Sequence, residues 1–249
     1  WAADRNSVLE EASLNVGITQ TAFLNMNRND VEASFKAFSE TVGLRRGYRI
    51  TTKTQIFDDP SVLLAAIQDG AIQLTIIDSW KYLSTDFRGL TTPYFIATER
   101  GQVGKRFLLL TRRGSGLDTL SDLKGKAIVK LEIASACMGP YWLEALLQAN
   151  HFGSTEQFFS QVTTAGKPSS AVLLVFFGAK QVCLVDESGF EVMKELNPQV
   201  GKALQVVATS EVLVDAVLCV SSVGWPSEKQ KQDLIQSLGE LHLDPAGMQ

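Results

Sequence analysis

Apolar positions recur along this chain with two periods, and the order in which the periods alternate is itself repeated. Leu14–Ile18 reads as a short strand. From Asp30, an expected N-cap, Val31, Phe35, Phe38 and Val42 fall at helical spacing, and Gly43 is expected to stop that helix. Tyr48–Thr54 alternates and reads as a strand. Pro60–Asp69 puts Val62, Leu63, Ala66 and Ile67 on one side of a helix, Gly70 ends it, and Gln73–Ile77 is apolar enough for a buried strand. The order β-α-β-α-β is that of a mostly parallel sheet with helices on its faces.

A second pass has the same order. Lys126–Leu131 is a strand, and Pro140–Asn150 a helix with Pro140 in the permissive first turn and Gly153 beyond its end. Ser154 and Gln157 have the spacing of a capping box. Gln161–Thr164 is a strand, Pro168–Phe177 a helix stopped by Gly178, and Val182–Val185 a buried strand. Lys105–Thr111 is an apolar strand between the passes, with Leu204–Thr209 and Asp215–Ser221 as strands after the second. Pro226–Leu241 is an amphipathic helix, with Leu234, Leu238 and Leu241 on the face expected to pack back on the first lobe.

The two passes share wording as well as order. "GAIQLTIID" (Gly70–Asp78) and "GAKQVCLVD" (Gly178–Asp186) both read Gly-Ala-x-Gln, apolar residues, then Asp. Pro60-Ser61 and Pro168-Ser169 precede them at the same distance. The shared unit is helix, glycine stop, buried strand, and a carboxylate at the strand's carboxyl end. The expected fold class is therefore α/β: two similar α/β lobes with mostly parallel sheets, joined by hinge strands. Lobe 1 is expected at 1–104 plus 212–249 and lobe 2 at 105–211, with hinges near 103–107 and 208–214. Open α/β sheets bind ligands beyond the carboxyl ends of their strands, and two lobes can close on a ligand about a hinge. Asp78 and Asp186 could both be helix N-caps, but their matched position favours exposure to a cleft for both, though not ligand contact for both. Ser79 follows Asp78, and Thr21, with Thr19 and Gln20, follows the first strand, so these residues fall at the same edge.

Composition narrows the function. The 249 residues are 45% hydrophobic and 20% charged, enough for one large domain or two medium ones. Net charge is −4, from 27 acids against 23 bases, and no Lys/Arg run exceeds two, which argues against a nucleic-acid partner. No apolar stretch reaches the roughly 18 residues of a membrane span; the longest is Ala171–Gly178. A start at Trp1, with neither Met nor an apolar leader, fits a mature secreted product whose signal has been removed, or a trimmed chain. Of three cysteines none is in a CxxC pair, and Cys183 and Cys219 sit in apolar runs as buried hydrophobes. No GxSxG, HExxH or P-loop pattern and no metal-ligand spacing occurs, so no metal and no cofactor is expected. Cys137, near a helix start, is the one candidate nucleophile, and it has no histidine nearby in sequence.

On Leu14–Thr19, Leu63–Tyr82 ("LLAAIQDGAIQLTIIDSWKY"), Leu120–Val129 ("LSDLKGKAIV"), Ala171–Asp186 and the tail "LHLDPAGMQ", the chain resembles the phosphonate-type (PhnD-like) substrate-binding proteins of ABC transporters. The resemblance spans nearly the whole chain and implies a type II periplasmic-binding-protein fold. It implies an extracytoplasmic, periplasmic receptor, acting as a monomer, that captures a small, usually anionic solute between its lobes and delivers it to a membrane permease. In that family a Ser/Thr-rich turn at a second-lobe helix start holds the anion. The corresponding turn here is Ala134–Pro140, which makes Ser135, Ala136 and Cys137 candidate contacts, although Cys137 and Met138 replace polar residues. The family's histidine before the next helix is absent; Lys167-Pro168-Ser169-Ser170 stands there, and Ser169 is taken as a contact. Tyr82 falls where the family places an aromatic; Tyr82 and Trp80 could be core rings, with at least one expected to line the cleft, and Asp186 and Glu187 fall where the family places polar groups that can meet an amine. The expected ligand set is thus Thr21, Asp78, Ser79, Tyr82, Ser135, Ala136, Cys137, Ser169, Asp186 and Glu187. The rival readings are a sensory receptor of the same fold and an enzyme built on it.

Overall fold

The structure, a computed structural model, describes residues 9–22, 28–96, 98–99, 102–133 and 136–240. The chain divides into two compact units, Trp1–Ala97 with Ala216–Gln249, and Thr98–Asp215. Unit 1 begins with β1 (Glu10–Thr19), α1 (Arg28–Arg45), β2 (Tyr48–Phe57), α2 (Pro60–Gln68), β3 (Leu74–Asp78), α3 (Ser79–Ser84) and β4 (Thr91–Ile96). Unit 2 holds β5 (Thr98–Glu99), β6 (Gln102–Val103), β7 (Phe107–Arg112), β8 (Ala127–Leu131), α4 (Met138–Ala149) and α5 (Thr155–Phe158). It continues with β9 (Gln161–Ala165), α6 (Pro168–Phe176), β10 (Val182–Asp186), α7 (Glu187–Leu196), α8 (Pro198–Ala203) and β11 (Leu204–Thr209). The chain then returns to unit 1 as β12 (Ala216–Ser221) and α9 (Glu228–Gly239).

Each unit has a five-stranded sheet, and the two sheets share one topology. In unit 1 the order is β2-β1-β3-β12-β4, with β1 parallel to β2 and β3 and with β12 antiparallel to β3 and β4. In unit 2 the order is β9-β8-β10-β7-β11, with β8 parallel to β9 and β10 and with β7 antiparallel to β10 and β11. Four strands of each sheet point one way and one is reversed. The reversed strand is in each case outside the β-α-β-α-β pass: β7 follows the first passage between units, and β12 the second. This is the twofold-repeated α/β architecture that the sequence pattern implies, but with mixed sheets, since two of the four strand pairings in each are antiparallel, rather than the mostly parallel ones expected.

The shared Pro, Gly, Gln and Asp of the repeat have structural tasks. Asp59 caps α2, accepting from the Ser61 amide at 2.8 Å, while Pro60 occupies the first turn; Pro168 does the same for α6. Gly70 and Gly178 follow the helix ends with φ of +71° and +80°, a region that penalises any Cβ. Gln73 Oε1 accepts from the Asn15 amide at 2.9 Å, and its Nε2 donates to the carbonyls of Gly70 and Gly224. Gln181 Oε1 likewise accepts from the Ala127 amide at 3.1 Å, so each glutamine ties the third strand of its pass to the first. The aspartates cap the helices that follow, α3 and α7.

The helix layers form the core. In unit 1, Leu14, Val16, Ile18, Val31, Leu74, Val220, Leu234 and Leu238 fill one cluster, while Phe57, Leu63, Ile67, Ile72, Ile77 and Phe87 fill another. In unit 2 a single cluster joins β7, β8 and β10 to α4, α6 and α7. Each fully buried Leu or Phe contributes about 1.5–3 kcal/mol relative to exposure. Cys183 and Cys219 are wholly buried, and all three cysteines are free thiols.

Several sequence-based boundaries move. Asp30 is the third residue of α1 rather than its cap. Gly43 lies inside α1, where a Cβ would come within 2.7 Å of the Ile50 side chain; the left-handed glycine is Gly47, after the helix. The β1 and β2 strands are longer than expected because their ends are polar and their pairing runs unbroken from Glu10↔Tyr48 to Thr19↔Phe57. Helix α9 is capped by Ser227, and Leu241 lies outside the described residues.

Candidate functional site

In unit 1 the carboxyl ends of β1 and β3 bring Thr19, Thr21, Asp78 and Lys81 together. Asp78 caps α3 by accepting from the Lys81 amide at 2.9 Å. The same carboxylate accepts from the Thr19 and Thr21 hydroxyls and lies 3.5 Å from Lys81 Nζ. That ammonium also donates to Thr21 Oγ1 at 2.8 Å. With only 3% of its surface exposed and four donors around it, Asp78 is a buried hub. The expectation that it presents an open carboxylate is corrected: a strand followed without a loop by a helix spends its terminal Asp on the helix amides.

The phase of α3 sorts the next residues. Ser79 and Tyr82, three apart, share the inward face and are both 9% exposed. Tyr82 packs in the core cluster with Phe57, Leu63 and Phe87, and burial pushes its phenol pKa up. It is a core aromatic and not the exposed ring expected at this edge; Trp80, 41% exposed, is the ring that α3 presents to solvent. Ser79 Oγ is buried and, among the described residues, is the buried side-chain polar atom without a hydrogen-bond partner.

In unit 2 the matching edge is acidic. Asp186 caps α7, accepting from the Gly189 amide at 2.8 Å and from the Ser188 hydroxyl, and is 6% exposed. It too is a buried cap where an open carboxylate was expected. Glu187 is half-buried, 3.7 Å from the Arg106 guanidinium, and its amide donates to the Arg106 carbonyl. Ser169 is half-buried in the first turn of α6, whose N-cap, Lys167, contributes no side-chain cap. Ala136 is buried and Cys137 half-buried at the start of α4; Ser135 lies outside the described residues.

Sequence reasoning passed over Asp215, treating it as a strand start. Its side chain lies 3.9 Å from Lys105 Nζ, and Cys137 Sγ donates to its carboxylate and its carbonyl, each at 3.8 Å. The Met138 amide at the start of α4 also favours the charged carboxylate. Burial pushes the Asp215 carboxyl up to about 6, with the Asp186 charge acting in the same direction. Lys105, the Met138 amide and Cys137 oppose that shift. Lys81 and Lys105 were likewise without an assigned role: Lys81 pairs with Asp78 three residues before it but also with the distant Thr21, and the partners of Lys105 and Asp215 are distant in sequence.

Unit 1 therefore gathers a lysine with threonine hydroxyls at its strand ends, and unit 2 gathers carboxylates with a lysine and a thiol. Among the described residues no group of three or more His, Cys, Asp or Glu could hold a metal ion, and no helix is long and apolar enough to cross a membrane. A pocket within unit 1, between α1 and α9, is lined by Leu14, Val42, Tyr48, Ile50, Trp225 and Leu234 among others, and includes none of the candidate residues.

Comparison with known proteins places this arrangement. The family described as "ABC transporter, phosphonate, periplasmic substrate-binding protein" matches residues 21–248. Among solved structures, XAC2383 from Xanthomonas citri bound to ATP is similar at a TM-score of 0.66 and 15% identity, over 94% of this chain and 85% of that one. PhnD1 from Prochlorococcus marinus in complex with methylphosphonate is similar at 0.56 and 14%, over 95% and 87%. A binding protein component of an ABC phosphonate transporter from Pseudomonas aeruginosa is similar at 0.55 and 15%, over 96% and 77%. At these identities the likeness is one of fold. A search of curated proteins finds no sequence match.

Proposed function

The chain belongs to the periplasmic substrate-binding proteins of ABC phosphonate transporters, and from that premise we propose that it captures one small polar solute at the carboxyl ends of its sheet strands and passes it, unaltered, to a membrane permease. The family is one of transport receptors and not of enzymes, and the role of the chain is solute binding for transport. The observation that carries the finer reading is the shared sheet topology. It directs the carboxyl ends of β1 and β3 in one unit, and of β8 and β10 in the other, to the positions where open α/β sheets bind ligands.

In this reading the work is done by differential affinity: the solute binds one conformation more tightly than another and shifts the population. Ser79, Thr21, Lys81 and Trp80 supply the first unit's contacts. Ser135, Cys137, Ser169 and Glu187 supply the second's, while Asp78 and Asp186 position the helices that carry them. The receptor works outside the cytoplasm, as a monomer.

A thermal-shift panel of phosphate, phosphonates, sulfonates, carboxylates, amino acids, amines and nucleotides tests the reading. A true solute at a hundredfold excess over its Kd adds about 2.7 kcal/mol, a clear rise in Tm. A Tm unmoved by every solute class, in protein refolded to remove any carried-over ligand, contradicts it.

A further inference from the structure

The repeat that relates the two units breaks at one spot. Just before the repeated glycine, unit 1 has Gln68-Asp69 and unit 2 has Phe176-Phe177. In unit 1 backbone covers that corner: a Cβ on Gly70 would stand 3.0 Å from the Gly224 Cα. In unit 2 a side chain takes its place, and Arg112 Nη1 lies 3.2 Å from the Cβ that Gly178 lacks. Phe177 is the C-cap of α6 and is 73% exposed, its ring edge-on to Phe176 with centroids 5.1 Å apart. A polar helix end has become an apolar one that faces water.

Arg112, Phe177, Gln199 and Lys202 line one open cavity of about 560 Å³. Arg112 and Lys202 are exposed, as is Arg113, the next residue along. Among the described residues no carboxylate lies within ion-pair distance of these three cations, and no acid lines the cavity, although the whole chain carries a net charge of −4. Helices α6 and α7 run back from the carboxyl ends of the strands that precede them. Phe177, at the end of α6, and Leu196, 77% exposed at the end of α7, therefore stand at the amino ends of the unit 2 strands. This is the opposite edge of that sheet from Asp186 and Glu187.

We propose that this end of unit 2 is a docking surface for an anionic lipid membrane: headgroup phosphates meet Arg112 and Lys202, while Phe177 and Leu196 sink into the boundary between headgroups and acyl chains. A small dissolved anion would satisfy the cations and leave Phe177 in water. An extended apolar boundary with negative charge at its rim matches both features. A twofold pairing with a second copy would set Arg112, Arg113 and Lys202 against the same three cations, which opposes it. The surface holds the receptor at a membrane through contacts that no solute uses, so the inference goes beyond the receptor reading and does not depend on which solute is bound.

The test is co-sedimentation with lipid vesicles at low salt, made of phosphatidylcholine alone or with roughly 30% phosphatidylglycerol. The expected result is binding to the anionic vesicles and not to the neutral ones, lost in about 0.5 M NaCl. The double variant Arg112→Gln, Lys202→Gln should partition about thirtyfold more weakly. Phe177→Asp, which places there the residue type that unit 1 carries as Asp69, should weaken partitioning at least about tenfold. It should leave the thermal-shift response to a solute unchanged, which separates failure of the surface from failure of the receptor reading. No binding to either vesicle, equal binding to both, or binding that neither variant weakens overturns the proposal. So does a variant that loses vesicle and solute binding together. A chain that ignores vesicles but forms a dimer that Phe177→Asp splits overturns it in favour of a second copy.

Discussion

Gln73 Oε1 accepts a hydrogen bond from the amide of Asn15 at 2.9 Å, and the same side chain donates to the carbonyls of Gly70 and Gly224. Its repeat counterpart, Gln181, holds Ala127 with an exposed side chain. Removing a buried partner leaves backbone groups unsatisfied, which costs about 1–3 kcal/mol per group. Gln73→Ala should therefore lower the unfolding free energy measured in urea by about 1–3 kcal/mol, and Gln181→Ala by clearly less. Equal losses would contradict the assignment of Gln73 as the buried clamp.

Asp78 and Asp186 are both caps, with different numbers of dependents. Loss of a cap costs about 0.5–2 kcal/mol. Asp78→Ala also strips Thr19, Thr21 and Lys81 of their shared acceptor, so it should cost more than Asp186→Ala in the same urea measurement. The reverse order would place the hub in the wrong unit.

Tyr82 and Trp80 separate stability from binding. Tyr82→Ala empties a core position and should cost about 3–5 kcal/mol, the range of large aromatic truncations. Trp80→Ala, at an exposed position, should leave the urea midpoint nearly unchanged and weaken binding of whichever solute the thermal-shift panel identifies. A destabilised Trp80→Ala with intact solute binding would exchange their roles.

The cysteines should differ in reactivity. Burial drives the Cys183 thiol far above the ordinary range and pushes Cys219 up to about 11. Cys137 is half-buried at a helix start. A thiol reagent at neutral pH should label Cys137 alone in the native protein, and all three after denaturation. Native labelling of Cys183 or Cys219 would contradict the packing of β10 or β12.

Asp215 gives stability a specific pH dependence. Its folded carboxyl is raised from 3.8 to about 6, so between about pH 4 and pH 6 the folded chain holds a proton that the unfolded chain releases. Stability from this group is full on the acid side and falls as pH rises through that window. The loss at pH 8 is on the order of 1–3 kcal/mol. The difference in urea stability between Asp215→Asn and wild type should accordingly grow in the variant's favour from pH 4 to pH 7. A difference that is flat with pH would contradict the buried, ionised carboxylate.

The repeated α/β order was legible because Gly70 and Gly178 punctuate it and apolar β3 and β10 need burial on both faces. The site was less legible, since side-chain function depends on phase and distant partners. Tyr82 and Trp80 are two residues apart, and only the start of α3 at Ser79 decides which one turns inward. Asp78 and Asp186 stand at the expected strand ends, yet the helices begin at once and consume their carboxylates. Asp215 looks like any strand-flanking Asp, and its importance comes from Met138 and Lys105, far away in the chain.

Native mass spectrometry of the purified chain with the solute panel tests the central claim most directly. The expected result is one solute bound per chain, released on denaturation with its mass unchanged. A solute released with an altered mass, or a chain that retains none of the panel, would contradict a transport receptor.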